Sequence, residues 1–150
     1  MTTKFYEPGE QRSVKVHALF GQIAHRYDLV NDLQSLGLHR KWKRRTAELA
    51  AVKLGQKALD ICCGTGDISM ALAGCGAEVV GLDFTAEMLS LAEQRYEAEV
   101  RGQRAEGKAR IWFIRGDAER FPFRDDSFDA VTVGYGLRNV REWRSGIQEM

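Results

Sequence analysis

The stretch from Ala58 to Asp67, Ala-Leu-Asp-Ile-Cys-Cys-Gly-Thr-Gly-Asp, constrains this chain more than any other. An apolar run ends in small residues and a Gly-x-Gly turn, and a helical pattern follows. That order predicts a strand, a tight loop and a helix N-terminus. Small residues let a ligand approach the backbone, and the helix start presents N–H groups that lack intrahelical partners. A Walker phosphate loop is excluded, because no Gly-Lys-Ser/Thr follows at the required spacing. A dinucleotide fingerprint is weakened by Ser69 at its third glycine position. Asp-x-small-x-Gly-x-Gly, filled by Asp60, Cys62, Gly64 and Gly66, stays open beside an ordinary strand-to-helix turn.

The 150 residues suffice for one domain with a core. Hydrophobic residues make up 44% and charged residues 29%, a globular balance. A net charge of +1 gives no argument for nucleic-acid binding. Cys62, Cys63 and Cys75 lack metal-ligand spacing, and adjacent cysteines seldom pair. Free thiols suggest a reducing, cytoplasmic setting. Residues 1–12 are polar rather than signal-like, and no apolar run approaches the roughly 18 residues of a membrane span.

Ser13 is a predicted N-cap ahead of an apolar helical stripe from Val14 to Ile23. Residues 24–37 form an irregular segment, and His39 to Leu54 reads as a helix ending at Gly55. Residues 1–55 are thus expected to be a helical segment on the substrate side, and 56–150 an α/β core. Strands are predicted over 57–62, 78–82, 111–115 and 128–134. Helices are predicted from 67, from 85 to about 100, and from 143. This alternation implies an open, Rossmann-like parallel sheet with its ligand at the carboxyl ends of the strands.

Polar groups recur at those ends. Asp83 closes the second strand, 17 residues after Gly66. A carboxylate there can accept two vicinal ribose hydroxyls. Asp117 closes the third strand, where it can receive the exocyclic amine of adenine while the Ala118 N–H reaches a ring nitrogen. Asp is also a common turn residue, so Asp117 alone decides nothing. Gly134 and Gly136 keep the backbone bare after the fourth strand, and Tyr135, Arg138 and Asn139 stand where a second substrate would lie.

The loop from Asp60 to Gly66 resembles that of class I S-adenosylmethionine-dependent methyltransferases. Further segments resemble the ubiquinone/menaquinone biosynthesis C-methyltransferases. These are Phe20 to Asp32, Leu36 to Arg44, Gly81 to Thr85, Phe121 to Phe123 and Gly134 to Val140, in the family's order. The resemblance covers roughly residues 14–150. It implies methyl transfer from S-adenosylmethionine to a ring carbon of a lipid-tailed quinol, with demethylmenaquinol the first choice and a methoxy-benzoquinol the second. Carried over by position, Asp60, Gly64, Thr65, Gly66, Asp83, Phe84, Asp117, Ala118 and Gly134 are expected around the cofactor. Gly134 replaces a serine found in some members, and Cys62 stands where Ala or Gly is usual.

A sulfonium methyl is already activated, so this chemistry calls for no metal. Methylation at carbon needs an electron-rich ring, and a deprotonating quinol becomes one. Arginine is too basic to be a simple proton acceptor. Arg138 is therefore expected to stabilise an oxyanion or position a water, with Asn139 and Tyr135 hydrogen-bonding ring oxygens. His25 and Tyr27 are candidate substrate-side groups.

The basic run His39 to Arg45 is either a solvated helix face or a contact with an anionic membrane surface. A homo-oligomer is open from sequence. The resemblance also implies further strands beyond Met150, with a strand order of 3-2-1-4 in the part present and strand four as an open edge.

Overall fold

The structure, a computed structural model, describes residues 33, 35–102, 110–140 and 142–150. Its elements in chain order begin with α1 (Leu38–Ala50), β1 (Lys57–Ile61), α2 (Asp67–Gly74) and β2 (Glu78–Asp83). There follow α3 (Ala86–Gly102), β3 (Ile111–Arg115), β4 (Ala130–Val133), a 3-10 turn (Gly136–Asn139) and α4 (Trp143–Glu149). The strands pair in parallel in the order β3-β2-β1-β4, as the alternation of strand and helix requires. The segments predicted from Ser13 to Ile23 and over residues 24–32 lie outside the described residues, as do His25, Tyr27 and residues 103–109.

Register decides where the polar groups meet. Asp60 lies between Gly81 and Thr132, and Ile61 lies between Leu82 and Val133. Asp83 stands opposite Arg115. The turns after all four strands therefore open at one edge of the sheet.

Alternation along the strands builds two apolar layers. Ala58, Val79 and Ile111 join Ile68 and Leu72 of α2 and Ala47 of α1 on one face. Tyr96 of α3 packs there against Phe113, their ring centroids 6.4 Å apart. Leu59, Ile61 and Leu82 face the other way, toward Phe121, Phe123 and Phe128. Phe123 and Phe128 meet edge to face at 4.9 Å. Helix α1 contacts both α2 and β4, so the helix before the first strand shares the core of the sheet.

Several boundaries differ from the sequence expectation, three of them with a visible cause. Helix α1 stops at Ala50 rather than Leu54, because Ala51 turns to a left-handed φ of 52°. The chain is then fastened to the α2–β2 turn, with the Gly55 N–H donating to the Gly76 carbonyl at 3.0 Å. Strand β1 ends one residue early, because Cys62 takes a φ of 53° and leaves the ladder. Strand β4 begins at Ala130 rather than Phe128. Asp129 precedes it and fastens both ways to Lys57: its carboxylate accepts the Lys57 N–H and its own N–H donates to the Lys57 carbonyl, each at 2.8 Å.

Candidate functional site

The turn after β1 is held by three left-handed residues, Cys62, Gly64 and Gly66. Gly66 needs both its φ of 84° and its bare Cα. A Cβ there would stand 3.1 Å from the Phe113 ring and 3.2 Å from Ala92. Gly66 thus lets the start of α2 close onto α3 and β3, and it does not line the cavity.

Asp60 is fully buried and also absent from the cavity wall. Its carboxylate accepts the Ser69 hydroxyl at 2.6 Å and the Thr132 hydroxyl at 3.0 Å. It accepts the Ser69 backbone N–H as well. The carboxylate therefore satisfies a donor in the first turn of α2 and ties β1 to β4. Burial pushes its pKa from 3.8 up to about 6, against the pull of these hydrogen bonds. Asp60, expected near the cofactor, anchors the turn through these bonds. Alternation along β1 sends this side chain to the α2 face, and the turn itself faces the ligand side.

Asp83 shapes the same turn from β2. Its Oδ2 accepts the Gly64 N–H and its Oδ1 accepts the Thr85 N–H, both at 2.8 Å. Burial raises its pKa, opposed by these backbone bonds. The Thr85 hydroxyl and the Phe84 N–H donate to the same carboxylate. Asp83 lines the cavity while fixing the loop beside it.

At the end of β3, Asp117 Oδ1 accepts the Glu119 N–H at 2.9 Å, a local turn bond that leaves Oδ2 for other donors. Ala118 is buried and lines the cavity with Asp117. The strand-four turn closes the opposite side with Gly134, Tyr135, Gly136, Arg138 and Asn139. Gly136 rests directly on the first turn: a Cβ there would fall 2.1 Å from Cys62 Cβ. Burial pushes the Cys62 thiol up to about 12, which keeps it protonated and unreactive.

The resulting cavity has a volume of about 280 Å³. Gly64, Thr65, Phe84 and the residues just named from the ends of β2, β3 and β4 border it. Sequence reasoning missed several of its walls. Ile68 and Met88 come from the first turns of α2 and α3, which a strand-to-helix turn always brings to this edge. Lys43 has no such local signal. It lies within the basic run, which the fold divides. His39 is buried and the Lys43 side chain is 13% exposed, whereas Arg40, Lys41, Arg44 and Arg45 face outward. Trp42 meets the Tyr135 ring edge-on at 6.4 Å.

The ends of four parallel strands thus surround one cavity at the carboxyl edge of the sheet, where open α/β folds bind their ligands. The profile of the ubiE/COQ5 methyltransferase family matches residues 8–150. The chain belongs to this family. Its sequence is 41% identical over 144 residues to the demethylmenaquinone methyltransferase of Bacillus velezensis. That alignment takes in 94% of this chain and 59% of the relative, so the chain spans under two thirds of the relative's length. Among solved structures, the [4+2]-cyclase SpnF superposes with a TM-score of 0.74 over 91% of this chain and 54% of its own. At 21% identity it shows the fold alone. An arsenic(III) S-adenosylmethionine methyltransferase from Chlamydomonas reinhardtii is 27% identical, with a TM-score of 0.58, over 64% of this chain and 34% of its own. Among the described residues of this family member, no helix is long and apolar enough to cross a membrane.

Proposed function

We propose that this ubiE/COQ5 family chain binds S-adenosylmethionine in the cavity and methylates a ring carbon of demethylmenaquinol. The observation that carries the reading is Asp83. It ends β2 on the cavity wall, held in place by the Gly64 and Thr85 N–H groups, where a ribose diol would meet a fixed carboxylate. The other walls fit the same ligand: Asp117 and Ala118 offer an acceptor and a backbone donor for adenine, and Gly134 and Gly136 leave room near the transferred group. When bound, S-adenosylmethionine supplies a methyl group already activated by its sulfonium.

The chain's own task is then to position and stabilise the acceptor. Arg138 borders the cavity at the β4 end, with Tyr135 and Asn139 on the same turn. Its guanidinium would stabilise negative charge developing on the ring oxygen as the quinol loses its proton. Tyr135 and Asn139 would hydrogen-bond the ring oxygens and hold the carbon in line. Helix α1, which reaches Tyr135 through Trp42, would lie on the acceptor side of the site.

Calorimetric titration with S-adenosylmethionine, NAD and ATP tests the first half of this reading. Binding of S-adenosylmethionine alone is expected, and binding of NAD alone would overturn it. Turnover of short-chain demethylmenaquinol under reducing conditions, set against the methoxy-benzoquinol analogue, tests the second half. Methylation of neither acceptor by a chain that binds the cofactor would point to a binding protein instead.

A further inference from the structure

Phe84 borders the cavity and is nevertheless 43% exposed. A phenyl ring at such a place ordinarily exchanges between rotamers. Here it is held by a residue that does not itself line the cavity. Arg115 closes β3 opposite Asp83, and the Gly116 N–H donates to the Asp83 carbonyl at 3.0 Å. The two strands thus stay paired up to the point where the chain turns into Phe84.

That register delivers the Arg115 side chain to Phe84 in two ways. Its Nε–H donates to the Phe84 carbonyl at 3.1 Å. Its Cζ stands over the Phe84 ring, 5.7 Å from the centroid, within the range of a cation–π contact. The Asp83 carboxylate opposite takes N–H groups of its own turn, and the guanidinium packs on the ring instead. A planar guanidinium suits this role, because it can stack and donate sideways at once. One side chain therefore fixes both the main chain and the ring of Phe84.

The same short segment carries the groups that suit a purine. Asp117, two residues beyond Arg115, offers a carboxylate, and Ala118 offers a backbone donor, both on the cavity wall. The ring and these edge contacts are thus set relative to each other through four consecutive residues. Purine bases stack on aromatic faces, and a ring already ordered loses less freedom when a base arrives. Arg115 covers one face of the ring from outside the cavity.

We propose that Arg115 is a positioning residue that holds the Phe84 ring as a stacking face for the adenine of S-adenosylmethionine. The proposal rests on the S-adenosylmethionine reading of the cavity. Arg115 makes no contact with the ligand and acts through Phe84.

Calorimetry with S-adenosylmethionine and with 5′-methylthioadenosine tests this on the full chain as wild type, R115M, R115K, F84L and the F84L/R115M double variant. R115M is expected to weaken both ligands by about 3- to 10-fold, the scale of a cation–π contact together with one charge-assisted hydrogen bond. R115K should recover part of that loss, since an ammonium keeps the attraction to the ring without the fork of donors. F84L should cost about 10-fold, the scale of one lost base stack. In the F84L background, R115M should cost less than a further twofold, because the face it held is gone. An R115M chain that binds both ligands as the wild type does would overturn the proposal. So would an R115M loss of equal size in both backgrounds, including one caused by unfolding, because Arg115 would then act by a route other than the ring. Failure of the wild type to bind either ligand would instead strike the cofactor reading itself.

Discussion

The turn after β1 and the turn after β4 face each other across one cavity, and they are built differently. The first is stitched from within. Asp60 is fully buried, Thr65 is 3% exposed, and the Gly64 N–H is held by Asp83. The second is a short 3-10 turn whose Tyr135 is 41% exposed and whose Arg138 is exposed while bordering the cavity. The first turn owes its shape to backbone geometry and small side chains, and so suits a ligand met in one fixed pose. The second presents longer and more exposed side chains, whose ordering around a larger acceptor would carry some entropic cost. Pre-organisation is concentrated in the first turn.

The sharpest way to separate the two turns is Arg138→Ala. Turnover should fall about 10²- to 10³-fold, the scale for losing one oxyanion stabiliser, with the S-adenosylmethionine Kd nearly unchanged. Equal loss of turnover and cofactor affinity would show that the second turn also builds the cofactor pocket.

The contact between the turns can be broken directly. In Gly136→Ala the new Cβ would fall 2.1 Å from Cys62 Cβ and 2.8 Å from its Sγ. Relief requires backbone movement, so a loss of about 2–3 kcal/mol in urea unfolding is expected. Cys62→Gly removes both offending atoms and suits the φ of 53° at that position. The double variant should recover most of the loss. If it recovered none, the two turns would not be coupled through this contact.

The smallest effect is on pH dependence. Asp60 is raised to about 6 by burial, so the folded state binds its proton more tightly than the unfolded chain does. Its contribution therefore falls as pH rises from about 4 to 6, and returns on acidification. Asp83 is raised and acts in the same direction. Going from pH 7 to pH 5 should add roughly 1 kcal/mol of stability through Asp60. Asp67 has the opposite sign. Its lowered pKa means that its contribution is complete above the unfolded value near 4, and is lost only as pH falls through the folded value. Urea midpoints should thus rise slightly toward pH 5 and fall below pH 4, and Asp60→Asn should weaken the rise. A rise of the same size in Asp60→Asn would assign it to other groups.

Local pattern carried much of this molecule. The 3-2-1-4 order follows from strand–helix alternation and the glycine turn, because parallel crossovers leave few arrangements. Asp83, Asp117 and the Gly134–Asn139 turn were legible because each directly follows a strand, and strand ends in such a sheet converge on one edge. Boundaries were less legible. Nothing in the alanines of Leu49-Ala50-Ala51 shows that Ala51 turns left-handed, since the fastening partner, Gly76, lies 25 residues on.

What the sequence alone determined was which segments become strands and helices, their order in the sheet, and the edge at which the polar groups gather. These depend on periodicity and on contacts between near neighbours. Tertiary structure decided the direction and partners of individual side chains. It turned Asp60 toward Ser69 and Thr132 and away from the cavity, and it set Gly136 on Cys62. It also drew Lys43 out of an otherwise outward-facing basic run to meet Asp67, 24 residues away. Those outcomes come from packing between elements distant in the chain, where the energy of a contact depends on a partner that no local pattern names.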